Sequence, residues 1–296
     1  MWDSTGQLVG LARQTNQRSE ADVTNINVTS QLSFADAART TKVDERTWSS
    51  PLHDAYSLWG GQFVHGGYGI AIAADSMAQA AGLPDPVTLT AHFLEQVKPG
   101  VATTIEADVV RAGKRHASVA GAIVQEGVER VRLLGTFGDT SAASGPSHHR
   151  VAPACPPWDD CLSTGFPHAF ETHIQGRLSP DSAGFLTGAP SGSNVLMGRL
   201  RLRADEPVAG PALTFLSDVM MSPSVEMGLA GMAWIPTVEL TVHVHDSSYV
   251  GEVLTSIRTD HLSNGYATED VEIWSGDGTR LLAVARQLAL VRAPAT

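Results

Sequence analysis

Two cysteines, few aromatics at 6% and an excess of acid over base set the first limits on this chain of 296 residues. Cys155 and Cys161 lie close together in a proline-rich segment. That is neither a disulfide framework nor the ligand set of a structural zinc site, so both are expected as free thiols. Lys and Arg number 20 against 31 Asp and Glu, a net charge of −11 that argues against nucleic acid or an anionic membrane as a partner. No apolar run approaches the 18 or so residues that cross a bilayer, and Leu8 to Ala12 is too short for a signal-peptide core. The expectation is a cytoplasmic protein. His243 and His245 can share a strand face, but no further ligand accompanies them, so no metal and no cofactor is expected. A G-x-S-x-G elbow is missing, which disfavours a serine α/β-hydrolase, and the glycines near Gly66 lack the dinucleotide spacing and the parallel βαβ setting.

What is present is ample apolar material, 43% against 17% charged, and an arrangement centred on Gly210 to Met221. This short stretch opens with Pro211, is stopped near Met221 by Pro223, and is apolar on nearly every side except for Asp218. A helix of that kind belongs inside a protein, where an unpaired carboxylate is costly and needs a partner or a task. A crevice or a nearby backbone N–H would satisfy Asp218 as well as chemistry would.

Residues 1 to about 35 read as a polar, loosely attached extension, and Met1 to Val23 as a segment preceding the natural start. The sequence Gly60-Gly61-Gln62-Phe63-Val64-His65-Gly66-Gly67-Tyr68 leads into a second all-apolar helix, about Gly67 to Ala81, ended by Gly82 and Pro84. Four β-rich runs follow, Thr88 to Leu94, Thr103 to Ala112, His116 to Gln125 and Arg130 to Phe137, separated by turn sequences. A Ser-, Pro- and Ala-rich stretch, Asp139 to Gly165, reads as a linker. The pattern then returns: Phe170 to Leu178, Val195 to Leu202, the Asp218 helix, Val238 to His245, Val253 to His261, Ala267 to Trp274 and Leu281 to Val291.

Leu89-Thr90-Ala91-His92-Phe93 matches Leu240-Thr241-Val242-His243-Val244, each with a glycine at the same distance beyond it, and each helix carries one aspartate, Asp75 or Asp218. Two buried helices among long strands imply a curved antiparallel sheet wrapped around a helix, twice. The expected class is therefore α+β, a double hotdog with two long helices. The divisions are an extension 1–44, hotdog units 45–140 and 166–296, and a linker 141–165. Uncovered edge strands predict a homodimer or higher homo-oligomer.

These features resemble the type II (TesB-like) acyl-CoA thioesterases and related thioesterase-like proteins of actinobacterial type. The resemblance covers about residues 45 to 292. In the first half it is carried by His65-Gly66-Gly67-Tyr68, Leu89 to Leu94, Arg111-Ala112-Gly113-Lys114 and Thr136-Phe137. In the second it is carried by Ser217-Asp218-Val219, Pro236-Thr237-Val238 and Ala285-Arg286-Gln287. It implies hydrolysis of an acyl-CoA by a water held among Asp218, Thr237 and Gln287. The chain departs from the family where Glu239-Leu240 replaces an Asp-His pair and where Gly66-Gly67-Tyr68 replaces Gly-Gly-Gln. The alternative is a double-hotdog protein that binds an acyl thioester or a partner without cleaving it. A hydratase of the same fold is disfavoured because the Asp218 helix lacks an Asp-x-Asn-Pro-x-His pattern.

Thioester hydrolysis needs an oriented water, a base and donors for an oxyanion. Burial would raise the Asp218 pKa toward a useful range. Gln287 shares a strand face with Ala283, Ala285 and Ala289, which leaves space beside one polar group, although backbone groups could equally satisfy its amide. Strict alternation puts Thr237 opposite Val238, Leu240 and Val242, so only the resemblance sets it apart from any β-forming threonine. His65, Gly66, Gly67 and Tyr68 are the expected substrate-binding residues, with the helix N–H groups turned to the oxyanion; tight helix packing explains the glycines equally well. For the CoA phosphates the candidates are Lys114, Arg115 and His116, or Arg199, Arg201 and Arg203, against the ordinary reading of solvated faces.

Overall fold

A computed structural model describes residues 32–50, 52–58, 61–164, 173–202, 206–230 and 235–291. In chain order its elements are α1 (Phe34–Ala37), β1 (Thr41–Lys42), β2 (Thr47–Ser50), β3 (Ser57–Leu58), β4 (Phe63–Val64), α2 (Gly66–Ala81), β5 (Asp85–Phe93), β6 (Thr103–Ala112), β7 (Ala117–Gln125) and β8 (Val128–Gly138). The second half adds β9 (Leu162–Ser163), β10 (Ile174–Leu178), β11 (Val195–Leu202), β12 (Pro207–Val208), α3 (Gly210–Leu216), β13 (Thr237–Val244), β14 (Tyr249–Val250), β15 (Val253–Ser263), β16 (Tyr266–Ser275) and β17 (Leu281–Leu290). Residues 1–31 and 170–172, for which an extension and a strand start are expected, lie outside the described residues.

Among the described residues one 13-stranded antiparallel sheet runs β1-β2-β6-β7-β8-β5-β13-β17-β16-β15-β11-β10-β9. The two halves meet where β5 pairs with β13, and at the centre of that seam Thr90 stands opposite Thr241 with their hydroxyls 2.9 Å apart. Leu89 and Ala91 on one strand, and Leu240 and Val242 on the other, turn into the core. This is the double hotdog.

Helix α2 lies against β5, β6, β7 and β8 and also packs on α3. Ile70, Ile72 and Met77 are almost fully buried, and each such side chain contributes roughly 1.5–3 kcal/mol. Gly82, at φ 64°, ends α2 by turning its N–H back onto Ala78 and Gln79. Helix α3 is shorter than the sequence suggests, ending at Leu216 rather than near Met221. Thr214 and Ser217 turn their hydroxyls back onto the carbonyls of Pro211 and Leu213, at 2.7 and 2.8 Å. Asp218 N–H then bonds Phe215 O at 3.0 Å, tightening the last turn. The helix stops as Asp218 leaves it, and that carboxylate becomes free to serve another element.

The stretch 139–164 is fastened to the second half. Arg150 pairs with Glu272 at 2.7 and 2.9 Å, and the Trp158 ring lies 3.9 Å beneath the Arg201 guanidinium. Among the described residues no helix is long and apolar enough to cross a membrane.

Candidate active site

Asp218 meets the first turn of α2. His65 is the N-cap of that helix and makes no side-chain cap bond, so the helix start needs an acceptor from elsewhere. The Asp218 carboxylate supplies it: Gly67 N–H donates to Asp218 Oδ2 at 2.6 Å. Contact this close demands glycine, because a Cβ on Gly67 would sit 2.8 Å from both Asp218 Cβ and Phe215 O, and one on Gly66 2.9 Å from Asp218 Oδ2. Burial dominates the electrostatics. It pushes the Asp218 pKa up to about 6, although the Gly67 N–H and the Thr237 hydroxyl both favour the ionised form. His65 Nδ1 lies 3.8 Å from the same oxygen, and burial depresses its pKa to about 4, so it stands as a neutral imidazole at pH 7.

Thr237 reaches the same carboxylate by an irregularity in β13. The β13–β17 register slips between Thr237 and Glu239, a β-bulge that turns Val238 out to solvent and brings Thr237 round to the cleft. Strict alternation therefore misplaces this residue. Thr237 Oγ1 stands 3.3 Å from Asp218 Oδ1 and 3.2 Å from Gln287 Oε1. Gln287 is buried on β17, on the face that carries Ala283, Ala285 and Ala289. Its Nε2 donates to Glu269 on the neighbouring strand β16. Asp218, Thr237 and Gln287 are thus brought together in the wall of a cleft of about 460 Å³, whose other walls include Phe63, Phe93, Val97, Val131, Met220 and Ile235.

Of the expected substrate-binding residues, His65 and Gly66 line this cleft. Gly67 gives its N–H to Asp218 instead of presenting it to a ligand. Tyr68 points into the core, where its ring stacks on Tyr56 at 4.1 Å and its hydroxyl donates to Ala37 O at 2.6 Å. Two residues along the helix, about 200° of rotation, turn it away from the cleft wall that Gly66 forms. The arginines of β11 are already engaged: Arg199 and Arg201 both pair with Glu252, and Arg199 also bonds the carbonyls of Cys155 and Pro156. Arg203 lies outside the described residues. Lys114, Arg115 and His116 border a separate hollow with Arg111, Ser118 and Thr136, at the end of β5 and β8 away from Phe93 and Val131.

Sequence reasoning passed over Glu269. It is fully buried and accepts from Ser222, from Thr259 at 3.2 Å and from Gln287. The signal was available: Ala267, Glu269, Val271 and Ile273 share the inward face of β16, and an acid in an apolar alternation is a buried acid. Among the described residues no group of His, Cys, Asp and Glu could hold a metal.

Models of the acyl-CoA thioesterase N-terminal and C-terminal domains match residues 56–138 and 146–291, which between them span most of the chain. The chain belongs to the TesB-like, type II acyl-CoA thioesterases, and it is a thioester hydrolase acting on acyl-CoA. Among solved structures it is similar to a proposed thioesterase II of Thermobifida fusca YX, at 25% identity and TM-score 0.78, over 88% of this chain and 97% of that one. A conserved protein of unknown function with hot dog fold from Alicyclobacillus acidocaldarius matches at 25% identity and TM-score 0.73, over 88% and 98% of the two chains. The acyl-CoA thioesterase II TesB2 of Mycobacterium marinum shares the fold at 18% identity and TM-score 0.71, over 89% and 99%. No curated protein matches the sequence significantly.

Proposed function

We propose that the protein is a cytoplasmic enzyme that hydrolyses fatty acyl-CoA to the free acid and CoA, with Asp218 as general base and Thr237 and Gln287 holding the attacking water. One observation carries this reading. A buried carboxylate with its pKa near 6 has a hydroxyl 3.3 Å away that also reaches an amide oxygen, all beside an apolar cleft. Thr237 has a single proton and two acceptors, so one acceptor is always left to take a proton from a water. As that water's oxygen attacks the thioester carbon, its proton passes to Asp218. When the carbon–sulfur bond breaks, the same proton is returned to the departing thiolate. Gly66 N–H, next to the Gly67 N–H that Asp218 takes in the first turn of α2, is the proposed donor to the oxyanion. The apolar side chains Phe63, Val97, Val131, Met220 and Ile235 take the acyl chain.

The two units 45–140 and 166–296 are proposed to act as one body joined through the β5–β13 seam, and the protein to work as a homodimer or higher homo-oligomer. Leu134, 58% exposed on the sheet's outer face, is the kind of residue an assembly covers. Purified protein given acyl-CoAs of graded length should release free thiol, with Asp218→Asn nearly silent. Absence of thiol release with every acyl-CoA would overturn the reading, and a monomer in sedimentation would overturn the assembly.

A further inference from the structure

Gln287 can hold a water usefully only if the correct end of its amide faces the cleft, and nothing on β17 itself decides that. The amide has a donor end and an acceptor end of nearly equal shape. One end of the amide meets Thr237 and, beyond it, Asp218; the other end meets Glu269. Glu269 Oε1 receives the hydroxyls of Ser222 and Thr259, and its Oε2 receives Gln287 Nε2. A carboxylate met by three donors is matched as an acceptor, and turning the amide over would set two acceptor oxygens against each other in a dry interior.

We propose that Glu269 is a positioning residue of the thioesterase: it locks the Gln287 amide with its nitrogen inward, so that Oε1 is the atom offered to Thr237 and the attacking water. A water that gives one proton to Asp218 and the other to Gln287 Oε1 keeps a lone pair free for the thioester. An amide turned the other way donates to that lone pair and blunts it. The inference rests on the hydrolytic reading given above. The surroundings of Glu269 support it. Ser222, which donates to Glu269, is itself held by Ser224 Oγ at 2.7 Å and Ser224 N–H at 3.2 Å, so the donors are fixed in place. The pKa of Glu269 is raised overall, first by burial and further by Asp218, and its three hydrogen bonds are what hold the rise back. The titratable groups along the cleft are His65, Glu95, Asp218 and Glu269.

The test compares Glu269→Gln, the exchange Glu269→Gln with Gln287→Glu, and Asp218→Asn. Glu269→Gln frees the amide to turn, so kcat should fall about 10- to 100-fold with KM nearly unchanged. The exchange restores one donor and one acceptor across the β16–β17 pair, again with an acceptor toward Thr237, and should recover most of kcat. A role confined to folding predicts instead losses that track the folded fraction and no recovery in the exchange; that pattern, or normal kcat in Glu269→Gln, overturns the proposal. Asp218→Asn separates the two levels: if it stays active the hydrolytic reading itself fails, whereas an inactive Asp218→Asn beside a normal Glu269→Gln removes only the role of Glu269. Should Glu269→Gln not fold, neutron diffraction of the unaltered protein decides, because both amide deuterons of Gln287 must lie on the atom facing Glu269. Deuterons on the atom facing Thr237 contradict it.

Discussion

Leu89 and Leu240 hold corresponding places in the two halves, yet the residues across from them differ in kind. Leu89 stands opposite Gly135, which stands opposite Val119; Leu240 stands opposite Gln287, which stands opposite Glu269. Even the bulge repeats, falling between Pro86 and Thr88 in one half and between Thr237 and Glu239 in the other. One framework has thus been filled in two ways. In the first half the register positions are closed by Gly135 and Val119, with the Phe137 ring 2.9 Å from where a Gly135 Cβ would sit. In the second they carry Thr237, Gln287 and Glu269. The two aspartates, Asp75 in α2 and Asp218 just past α3, part in the same way. Asp75 is spent on the backbone N–H and hydroxyl of Thr40 and on Gln79, while Asp218 crosses to α2 and the cleft.

The comparison is broken most forcefully at its two aspartates. Asp218→Asn should lower kcat by roughly two to four decades, the scale of a lost general base, while Asp75→Asn leaves kcat as it was and costs only stability. Free-thiol assays of both, with folding checked by circular dichroism, decide this. Gln287→Ala should cost about 10- to 100-fold, since it orients the water without taking its proton. Combined with Asp218→Asn it should add little, because both act on one water. Strictly multiplicative losses would place them in separate steps.

Much of this contrast is legible in the sequence. The apolar stretch around Asp218, the alanine-lined face of Gln287 and the matching Leu-Thr motifs point to the two halves and to two residues of the candidate site. Thr237 was not placed by alternation, because a bulge changes which side of the strand a residue faces; yet Pro86, at the corresponding place, is a residue that strands tolerate at bulges. Glu269 was legible in the alternation of β16 but looked like one of many acids. Tyr68 was misdirected because the motif His65-Gly66-Gly67-Tyr68 fixes where a helix begins, not which of its faces meets the cleft. The end of α3 depended on hydroxyls bonding back to carbonyls, which sequence spacing does not reveal.

The stability of the second half should bear the mark of its buried acid. The folded-state pKa of Asp218, about 6, lies above its ordinary 3.8, so ionisation favours the unfolded chain. That contribution to stability is complete below the unfolded value and is lost as pH rises from about 4 through 6. Asp218→Asn should therefore be more stable than the parent at pH 7 by up to about 3 kcal/mol, with the difference vanishing near pH 4, as urea midpoints would show. Equal midpoints at pH 7 would mean that the carboxylate is better solvated than its burial indicates. The first half should respond oppositely to added bulk. Gly135→Ala should destabilise by about 1–3 kcal/mol without changing kcat per folded molecule. Smallest of all, Thr237→Val should lower kcat about tenfold and Thr237→Ser hardly at all, if the hydroxyl rather than the methyl group is what the bulge delivers.

The dependence of kcat/KM on pH tests the role of Asp218 most directly, because it reports the ionisation of the unliganded enzyme's base. With thiol release from one acyl-CoA followed between about pH 4 and pH 8, the parent should show an acid limb with its midpoint close to 6. Asp218→Asn should show residual turnover with no such limb. A midpoint near 6 that survives in Asp218→Asn would assign the titration to another group and remove Asp218 as the base.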